Sequence, residues 1–396
     1  MSTSNEITIV GGGIAGLSAA ITCAEAGVPT RLLEARAEPG GRGRSITGEY
    51  TVNLGPHALY SDGALWAWLG ERDLTPPVAR PPLAGLRFYR DGQLHAVPPL
   101  RMLARALRLR GRQAPADASL RRWLVSQTDD RTADMLSAAC GVFAFTHDPG
   151  SLSAAFAWER ARRVLLRFPP AARYPIGGWT ALIDRMAQHA LALGVRTETS
   201  HRVSALPPPP VVVATDLASA RQLLGDATLR WPSGHTVCLD LGLTSRRDDP
   251  FIVVDLDHAG WIERFTASDP SLAPTRHELI QAHMPVRPQE PAEITTARLE
   301  RVLDNAFMDW RQRTKWRRRL IMNGQTGALD PPGTTWRDRP AIERDDGVFL
   351  AGDATAAPGL LSEVAHNSGV DAARRAIRYA RAPAPTRRDT RSGSAP

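Results

Sequence analysis

The chain opens with an apolar run of four residues, Ile7–Val10 (ITIV), as expected for a strand that is buried on both faces of a parallel sheet. Three glycines follow at once, and the alanine-rich stretch 14–26 then favours a helix that ends at Gly27. A second strand is predicted over Thr30–Leu33. The pattern therefore predicts a β-α-β unit with a glycine turn after its first strand.

The glycines in this turn have the spacing G-x-G-x-x-G, which is typical of dinucleotide-binding turns. Gly11 permits the tight turn, Gly13 lets the backbone approach a pyrophosphate, and Gly16 lets the helix pack on the strand. The first amides of the helix, at Ile14 and Ala15, then point towards the phosphates together with the positive end of the helix dipole. The turn is therefore a candidate pyrophosphate site.

An acidic residue, Glu34, follows the second strand, eighteen residues beyond Gly16. A carboxylate at this place accepts hydrogen bonds from ribose hydroxyls and repels a 2′-phosphate. The next stretch, LLEARAEPGGRGRS, contains Arg36, Gly41 and Arg42 and resembles the extended FAD fingerprint of the flavin-containing amine oxidase and phytoene desaturase superfamily. The resemblance implies that Arg42 contacts the FAD pyrophosphate.

This resemblance implies a fold and a domain plan. The fold is α/β, with a Rossmann-like FAD-binding domain of the glutathione-reductase type and an inserted α+β substrate domain. We expect residues 1–60, 172–230 and 337–380 to form the discontinuous FAD-binding domain. Residues 61–171 and 231–336 would form the substrate domain, with a strand over Thr236–Leu241, and residues 381–396 a disordered basic tail.

Two further segments resemble cofactor contacts of the superfamily. NLGPHALY, residues 53–60, resembles the loop beside the isoalloxazine, which would place Gly55, Pro56 and His57 there. A short strand is expected over His201–Val203, and the resemblance implies that Val203 contacts the adenine.

The third such segment lies near the C-terminus, where the strand Val348–Ala351 runs into Gly352 and Asp353 and then into a helix. The resemblance places Asp353 by the ribityl and pyrophosphate part of FAD. It also places amides around Glu363 and Val364 at the pyrimidine edge, where a helix N-terminus stabilises the negative charge of reduced flavin.

Composition and charge exclude several classes of protein. The formal charge is +8, but residues 374–396 alone carry a net +6, so no nucleic-acid partner is indicated. Three separated cysteines predict neither a disulfide framework nor a zinc site, and no metal-ligand cluster is evident. Without a transmembrane run or a leader peptide, we expect a cytoplasmic protein.

One amphipathic segment, LRMLARALRLRGR at 100–112, mixes leucines with five arginines. A helix of this kind either faces a core or makes peripheral contact with an acidic membrane surface. The sequence leaves both interpretations open, and it leaves the oligomeric state open as well.

The chemistry is expected to be that of the flavin itself, because the sequence has no hydrolytic or metal-ligand constellation. We predict that an apolar small molecule loses hydride to non-covalent FAD, with His57 as the candidate catalytic residue because imidazole moves protons near neutral pH. A packed, hydrogen-bonded His57 is equally consistent with the sequence. Alternatives are a flavin amine oxidase that uses O2, a redox-neutral flavin isomerase, and a non-enzymatic escort-type protein.

The only lysine, Lys315, bears on the choice between oxidase and dehydrogenase. Many amine oxidases of the superfamily place a lysine near the flavin, where it assists reoxidation by oxygen. Lys315 lies in RQRTKWRRRL, which we interpret as a solvated basic helix. The sequence therefore favours a dehydrogenase or desaturase.

Overall fold

A computed structural model describes residues 6–55, 57–82, 84–345 and 347–382 of the protein. The strands of this part of the chain are β1 (Ile7–Val10), β2 (Thr30–Leu33), β3 (Ser45–Ile46), β4 (Val52–Asn53), β5 (Leu59–Tyr60), β6 (Val78–Ala79), β7 (Leu86–Arg90), β8 (Gln93–His95), β9 (Ala172–Pro175), β10 (Arg196–Glu198), β11 (Val211–Val213), β12 (Ser233–Thr244), β13 (Ile252–Asp255), β14 (Trp261–Arg264), β15 (His277–Pro285), β16 (Thr314–Ala328), β17 (Glu343–Asp345) and β18 (Val348–Leu350). The α-helices are α1 (Ile14–Glu25), α2 (Ala64–Gly70), α3 (Leu100–Leu109), α4 (Leu120–Val125), α5 (Asp130–Ala139), α6 (Gly141–Ala144), α7 (Ala154–Val164), α8 (Thr180–Ala192), α9 (Leu217–Leu224), α10 (Ala292–Ala306), α11 (Trp310–Arg313) and α12 (Ser362–Arg381).

A six-stranded sheet with the order β10-β2-β1-β11-β18-β17 carries the glycine turn. All its pairings are parallel except that of β17 with β18. The central strands β1, β11 and β18 are short, apolar and buried, as a sheet covered on both faces requires. Helices α1, α8 and α12 pack on this sheet in one core. The predicted α/β fold with a Rossmann-like domain is thereby confirmed.

The second large sheet has seven strands in the order β16-β12-β15-β14-β13-β7-β8. It is antiparallel except where β13 pairs in parallel with β7. The strand expected over Thr236–Leu241 lies within β12. Helix α10 packs against the outer face of this sheet, where Leu239, Leu241 and Leu299 share a core.

The expectation of a basic helix around Lys315 was wrong, because this residue lies in the fifteen-residue edge strand β16. Side chains along β16 alternate between half-buried even positions and exposed odd positions up to residue 323. Arginines at both kinds of position obscured this period of two in the sequence. Lys315 is exposed and lies on the outer face of the sheet, opposite the half-buried side chains of β16.

Helices α3, α4, α5 and α7 form a largely helical unit with its own core, to which Leu120, Leu136 and Trp158 contribute. Helix α2, within the segment predicted for the substrate domain, instead buries Leu65 and Leu69 in the core that α1 and α12 share.

The short strand expected over His201–Val203 is absent, which is the second correction among the described residues. The strand there is β10, and Ser200 follows it with φ 54°, so the backbone turns before residue 201. Pro56 and residues 383–396, for which a flavin contact and a disordered tail are predicted, lie outside the described residues. Within the described ranges, every helix is too short or too polar to span a bilayer.

Candidate functional site

The glycine turn between β1 and α1 is closed at two glycines and open at the third. A Cβ on Gly11, whose φ is 103°, would lie 2.6 Å from the carbonyl oxygen of Ala214, and a Cβ on Gly16 would lie 1.8 Å from the carbonyl oxygen of Gly11. Neither position therefore accepts a side chain. At Gly13 the nearest heavy atom would be the carbonyl oxygen of Gly40, at 4.0 Å. The turn thus leaves open space at the N-terminus of α1, where an anionic group is favoured.

Glu34 is buried beside this turn, with 6% of its surface exposed. Its Oε2 accepts a hydrogen bond from the Gly12 amide at 2.7 Å, and its Oε1 accepts one from the Arg36 amide at 2.8 Å. Each carboxylate oxygen keeps a further lone pair, which a ribose hydroxyl can use. The amide of His201 donates to the Glu34 carbonyl at 2.8 Å. Val203 packs against the core that contains Val10 and Val211, and its contact with adenine stays a prediction.

Arg42 and Asp353 form a bidentate ion pair across the mouth of the turn, with N–O distances of 2.7 and 2.9 Å. The Asp353 charge raises the pKa of Arg42. Burial alone would raise the pKa of Asp353, but the charge and hydrogen bonds of Arg42 lower it below its usual range, so the carboxylate is ionised. Arg42 also donates to the Gln325 carbonyl at the end of β16. Segments more than 300 residues apart in sequence therefore meet at one point.

Asn53, Gly55 and His57 lie between the glycine turn and the inner face of the seven-stranded sheet. A Cβ on Gly55 would lie 3.5 Å from the sulfur of Met322 on β16. The His57 Nε2 lies 3.0 Å from the Arg42 carbonyl, and its ring centroid lies 5.2 Å from that of Trp179. His57 is therefore packed next to Arg42, and its catalytic role stays a prediction.

A row of polar side chains crosses the inner face of the seven-stranded sheet, and the sequence analysis did not identify it. Asp240, Gln281 and Glu263 lie opposite one another on β12, β15 and β14, and Arg318 on β16 lies opposite Asp240. The guanidinium of Arg318 donates to Asp240 at 2.7 Å, and Gln281 Nε2 donates to the same carboxylate at 2.8 Å. Both Arg318 and Gln281 also donate to the Asn53 carbonyl, so this row supports the backbone that leads to Gly55.

Glu263, at the far end of this row, is buried without a cationic partner among the described residues. It accepts hydrogen bonds from the Tyr174 hydroxyl and from Trp261 Nε1. Burial raises the pKa of Glu263 to about 7, although these two hydrogen bonds act in the opposite direction. The carboxyl group is therefore poised between its two protonation states near neutral pH.

The C-terminal helix α12 begins close to a second ion pair. The Glu363 carboxylate is buried and receives two hydrogen bonds from Arg163, at 2.7 and 2.9 Å. The amides of Glu363 and Val364 donate to the carbonyls of Leu360 and Leu361, so their predicted contact with the flavin pyrimidine remains a prediction.

Helix α12 also fixes the glycine turn from behind. A Cβ on Gly369 would lie 2.2 Å from the carbonyl oxygen of Ala15, so the two helices are in direct backbone contact. Ser18 on α1 is hydrogen-bonded to His366 on α12 at 2.9 Å. Burial lowers the pKa of His366 to about 4, which makes it a neutral residue of the helix interface.

The geometry fits a dinucleotide. An open helix N-terminus, a buried carboxylate with free lone pairs, and an arginine at the mouth supply partners for phosphate, ribose and pyrophosphate respectively. The structure brings together, around one turn, the predicted residues Gly11, Gly13, Ile14, Ala15, Gly16, Glu34, Arg36, Gly41, Arg42, Gly352 and Asp353.

Two family models match the chain. Residues 9–71 match the NAD(P)-binding Rossmann-like domain, and residues 253–377 match the family described as flavin containing amine oxidoreductase. No curated protein has a significant sequence match to the chain.

Solved structures share the overall fold. An oxidoreductase from Methanosarcina mazei superposes with a TM-score of 0.76 at 18% identity, covering 93% of this chain and 100% of that one. Putrescine oxidase bound to putrescine has a TM-score of 0.74 at 15% identity, covering 94% and 99%. Cyclohexylamine oxidase from Brevibacterium oxydans has a TM-score of 0.70 at 15% identity, covering 95% and 98%. At these identities the likeness concerns the fold alone.

Proposed function

We propose that this chain, a flavin-dependent oxidoreductase of the flavin-containing amine oxidase superfamily, holds FAD non-covalently and dehydrogenates an apolar small molecule. The observation that carries this proposal is the arrangement of Glu34, Gly13 and the Arg42–Asp353 pair around one open helix N-terminus.

The cysteines support a non-covalent cofactor. Cys23, Cys140 and Cys238 are all buried, and burial raises the pKa of Cys23 and of Cys140 to about 12. A protonated thiol is a weak nucleophile, so none of these side chains is suited to attach a flavin. Acid precipitation should release the yellow colour into the supernatant, and flavin retained in the pellet would contradict the proposal.

FAD, when bound, supplies the hydride acceptor. The protein's own part is to hold and orient it: Glu34 accepts hydrogen bonds from ribose hydroxyls, and Arg42 neutralises pyrophosphate charge while Asp353 keeps its guanidinium in place. The row that includes Arg318 and Gln281 holds the carbonyl of Asn53, and thereby the loop that carries Gly55 and His57. These residues act by positioning.

The environment of Lys315 supports a dehydrogenase over an oxidase. Lys315 is exposed on the outward side of β16, whereas the side chain of this strand that lies against Gly55 is Met322. No lysine is therefore available beside Gly55 to assist the reaction with oxygen.

The test is kinetic. We expect flavin that has been reduced photochemically on the enzyme without oxygen to reoxidise in aerated buffer no faster than free reduced flavin. Reoxidation faster by orders of magnitude, with one hydrogen peroxide formed per turnover, would establish an oxidase. An amine oxidase is the second candidate, because the family model that matches residues 253–377 describes amine oxidoreductases. A substrate converted to a product of unchanged mass would instead identify an isomerase.

A further inference from the structure

Helix α3 exposes a leucine stripe to solvent. Leu100, Leu103 and Leu107 are 77%, 39% and 54% exposed, and their spacing of three and four residues places them on one face. The same helix has a second apolar face, formed by Met102, Ala106 and Leu109, and this one is buried in the helical core. The leucine stripe is therefore not needed to hold α3 in the fold.

Positive charge surrounds this stripe. Residues 100–112 contain five arginines and no acidic residue. Among the described residues, none of these five arginines has a carboxylate partner. On the neighbouring helices the arrangement differs, since Arg121 pairs with Asp130 and Asp134, and Arg131 pairs with Asp91. The unpaired charge is thus densest on α3 and its C-terminal extension, and Arg122 on α4 and Arg162 on α7 add to it.

A groove of about 940 Å³ opens between α3 and α7, next to the stripe. Leu107 belongs both to the stripe and to the wall of the groove, and Trp158, which is 2% exposed, forms a small part of this wall. Four arginines line the groove, against a single acidic residue, Glu159. Arg163 and Arg167 pair with Asp62, but Arg110 and Arg162 have no carboxylate partner among the described residues.

We propose that this surface docks on an anionic lipid bilayer, with Leu100, Leu103 and Leu107 inserted at the level of the headgroups and a lipid phosphate held in the groove by Arg110 and Arg162. At the boundary of a bilayer, acyl chains lie next to phosphate groups. The acyl chains would contact the leucine stripe, and the phosphates would pair with the arginines beside it. Arg163 links the inner end of the groove to Glu363 in the first turn of α12.

The test uses the full-length holoenzyme and vesicles of phosphatidylcholine alone or mixed with equal phosphatidylglycerol. We expect co-sedimentation with the anionic vesicles only, weakened by salt. Replacing all three leucines by serine, or combining Arg110→Gln with Arg162→Gln, should each weaken binding about ten-fold or more. Circular dichroism and flavin content establish that each variant is folded.

Matched controls use residues elsewhere in the chain. Leu191→Ser with Ile294→Ser changes side chains that are 56% and 53% exposed, and should leave vesicle binding unchanged. Changing Arg387, Arg388 and Arg391 to glutamine tests charge at the C-terminus.

Three outcomes would overturn the proposal. They are equal binding to neutral vesicles, binding that depends on the C-terminal arginines but not on α3, and binding of soluble glycerol phosphate as tight as that of vesicles. A dimer in solution that the leucine substitutions convert to a monomer would show instead that a second copy of the chain covers the stripe.

Discussion

The glycine turn and the seven-stranded sheet each bury a carboxylate, but they stabilise it in different ways. Glu34 is held by two backbone amides that lie within 22 residues of it in the sequence. Asp240 is held by the side chains of Arg318 and Gln281, which are 78 and 41 residues away. The first arrangement keeps lone pairs for a ligand, whereas the second uses its partners to hold the sheet and the loop above it together. At these two carboxylates, local hydrogen bonds leave acceptors available, and long-range pairing holds strands together.

The largest expected effect concerns the Arg318–Asp240 pair of the seven-stranded sheet. Arg318→Met leaves Asp240 buried without its cation, so the free energy of unfolding should fall by about 3–5 kcal/mol. Arg317→Met, the neighbouring position on the exposed side of β16, removes only the surface pair with Glu300 and should lower it by about 0–1 kcal/mol. Urea titration measures both. Equal losses in the two variants would show that Arg318 does not stabilise the sheet through Asp240.

A pH series tests the other end of the same row. Because the pKa of Glu263 in the folded state is raised from 4.5 to about 7, its contribution to stability is full below the lower value and is lost as the pH rises through the higher one. Glu263→Gln should remove this loss, which is about 2–3 kcal/mol between about pH 5 and pH 8.

His283 titrates in the opposite sense. It is fully buried, and burial lowers its pKa from 6.5 to about 3, so its contribution is lost as the pH falls below 6.5. Above about pH 6.5, the pH dependence of the free energy of unfolding therefore reflects Glu263 without a contribution from His283. Glu71→Gln, at an exposed position, is the control. If the free energy of unfolding changes with pH above about pH 6.5 equally in Glu263→Gln and in this control, the raised pKa of Glu263 is contradicted.

His57 lies where the two regions meet. If it acts as an acid or base, His57→Ala should keep its flavin and slow flavin reduction by substrate about 100-fold. His147→Ala, at an exposed position, is the control. Rapid mixing with substrate measures the reduction step alone, and an unaltered rate would identify His57 as a packing residue that supports Arg42 through its carbonyl.

The smallest effect tests the binding side. Glu34→Ala removes the acceptor of buried hydroxyls and should weaken FAD binding by about 1–3 kcal/mol, and Asp353→Ala should do so by a similar amount. Titration of the apoprotein with FAD gives the affinity, and Glu38→Ala, at a nearby exposed side chain, should leave it unchanged. Unchanged affinity in Glu34→Ala would refute the ribose assignment.

The sequence predicted the parts of the molecule whose partners are close along the chain. The glycine turn and Glu34 belong to one β-α-β unit, in which each residue type has a steric or hydrogen-bonding reason that is visible within 25 residues. The prediction failed where backbone geometry decided the outcome, as at Ser200, whose positive φ ends the extended segment before Val203.

The rest was hidden because it depends on pairing between distant strands. Nothing near Arg318 indicates that Asp240 lies opposite, since strand order is not a property of either segment. Helix α3 presented a different ambiguity, because Met102, Ala106 and Leu109 repeat with a helical period just as the exposed leucines do. The sequence therefore left open whether this helix faces a core or a membrane, and only the packing of the helical core showed which apolar face is buried.

The Arg42–Asp353 pair and the contact of Gly369 with Ala15 have a consequence for synthesis of the protein on the ribosome. The glycine turn is translated long before the residues that close and support it. A nascent chain must therefore wait until residues 353–381 have left the exit tunnel before it can assemble the complete dinucleotide site. Throughout elongation, the face of α1 that later meets Gly369 has no partner from α12, and it is available to chaperones. Assembly of the complete candidate site is thus a late step in the folding of the chain.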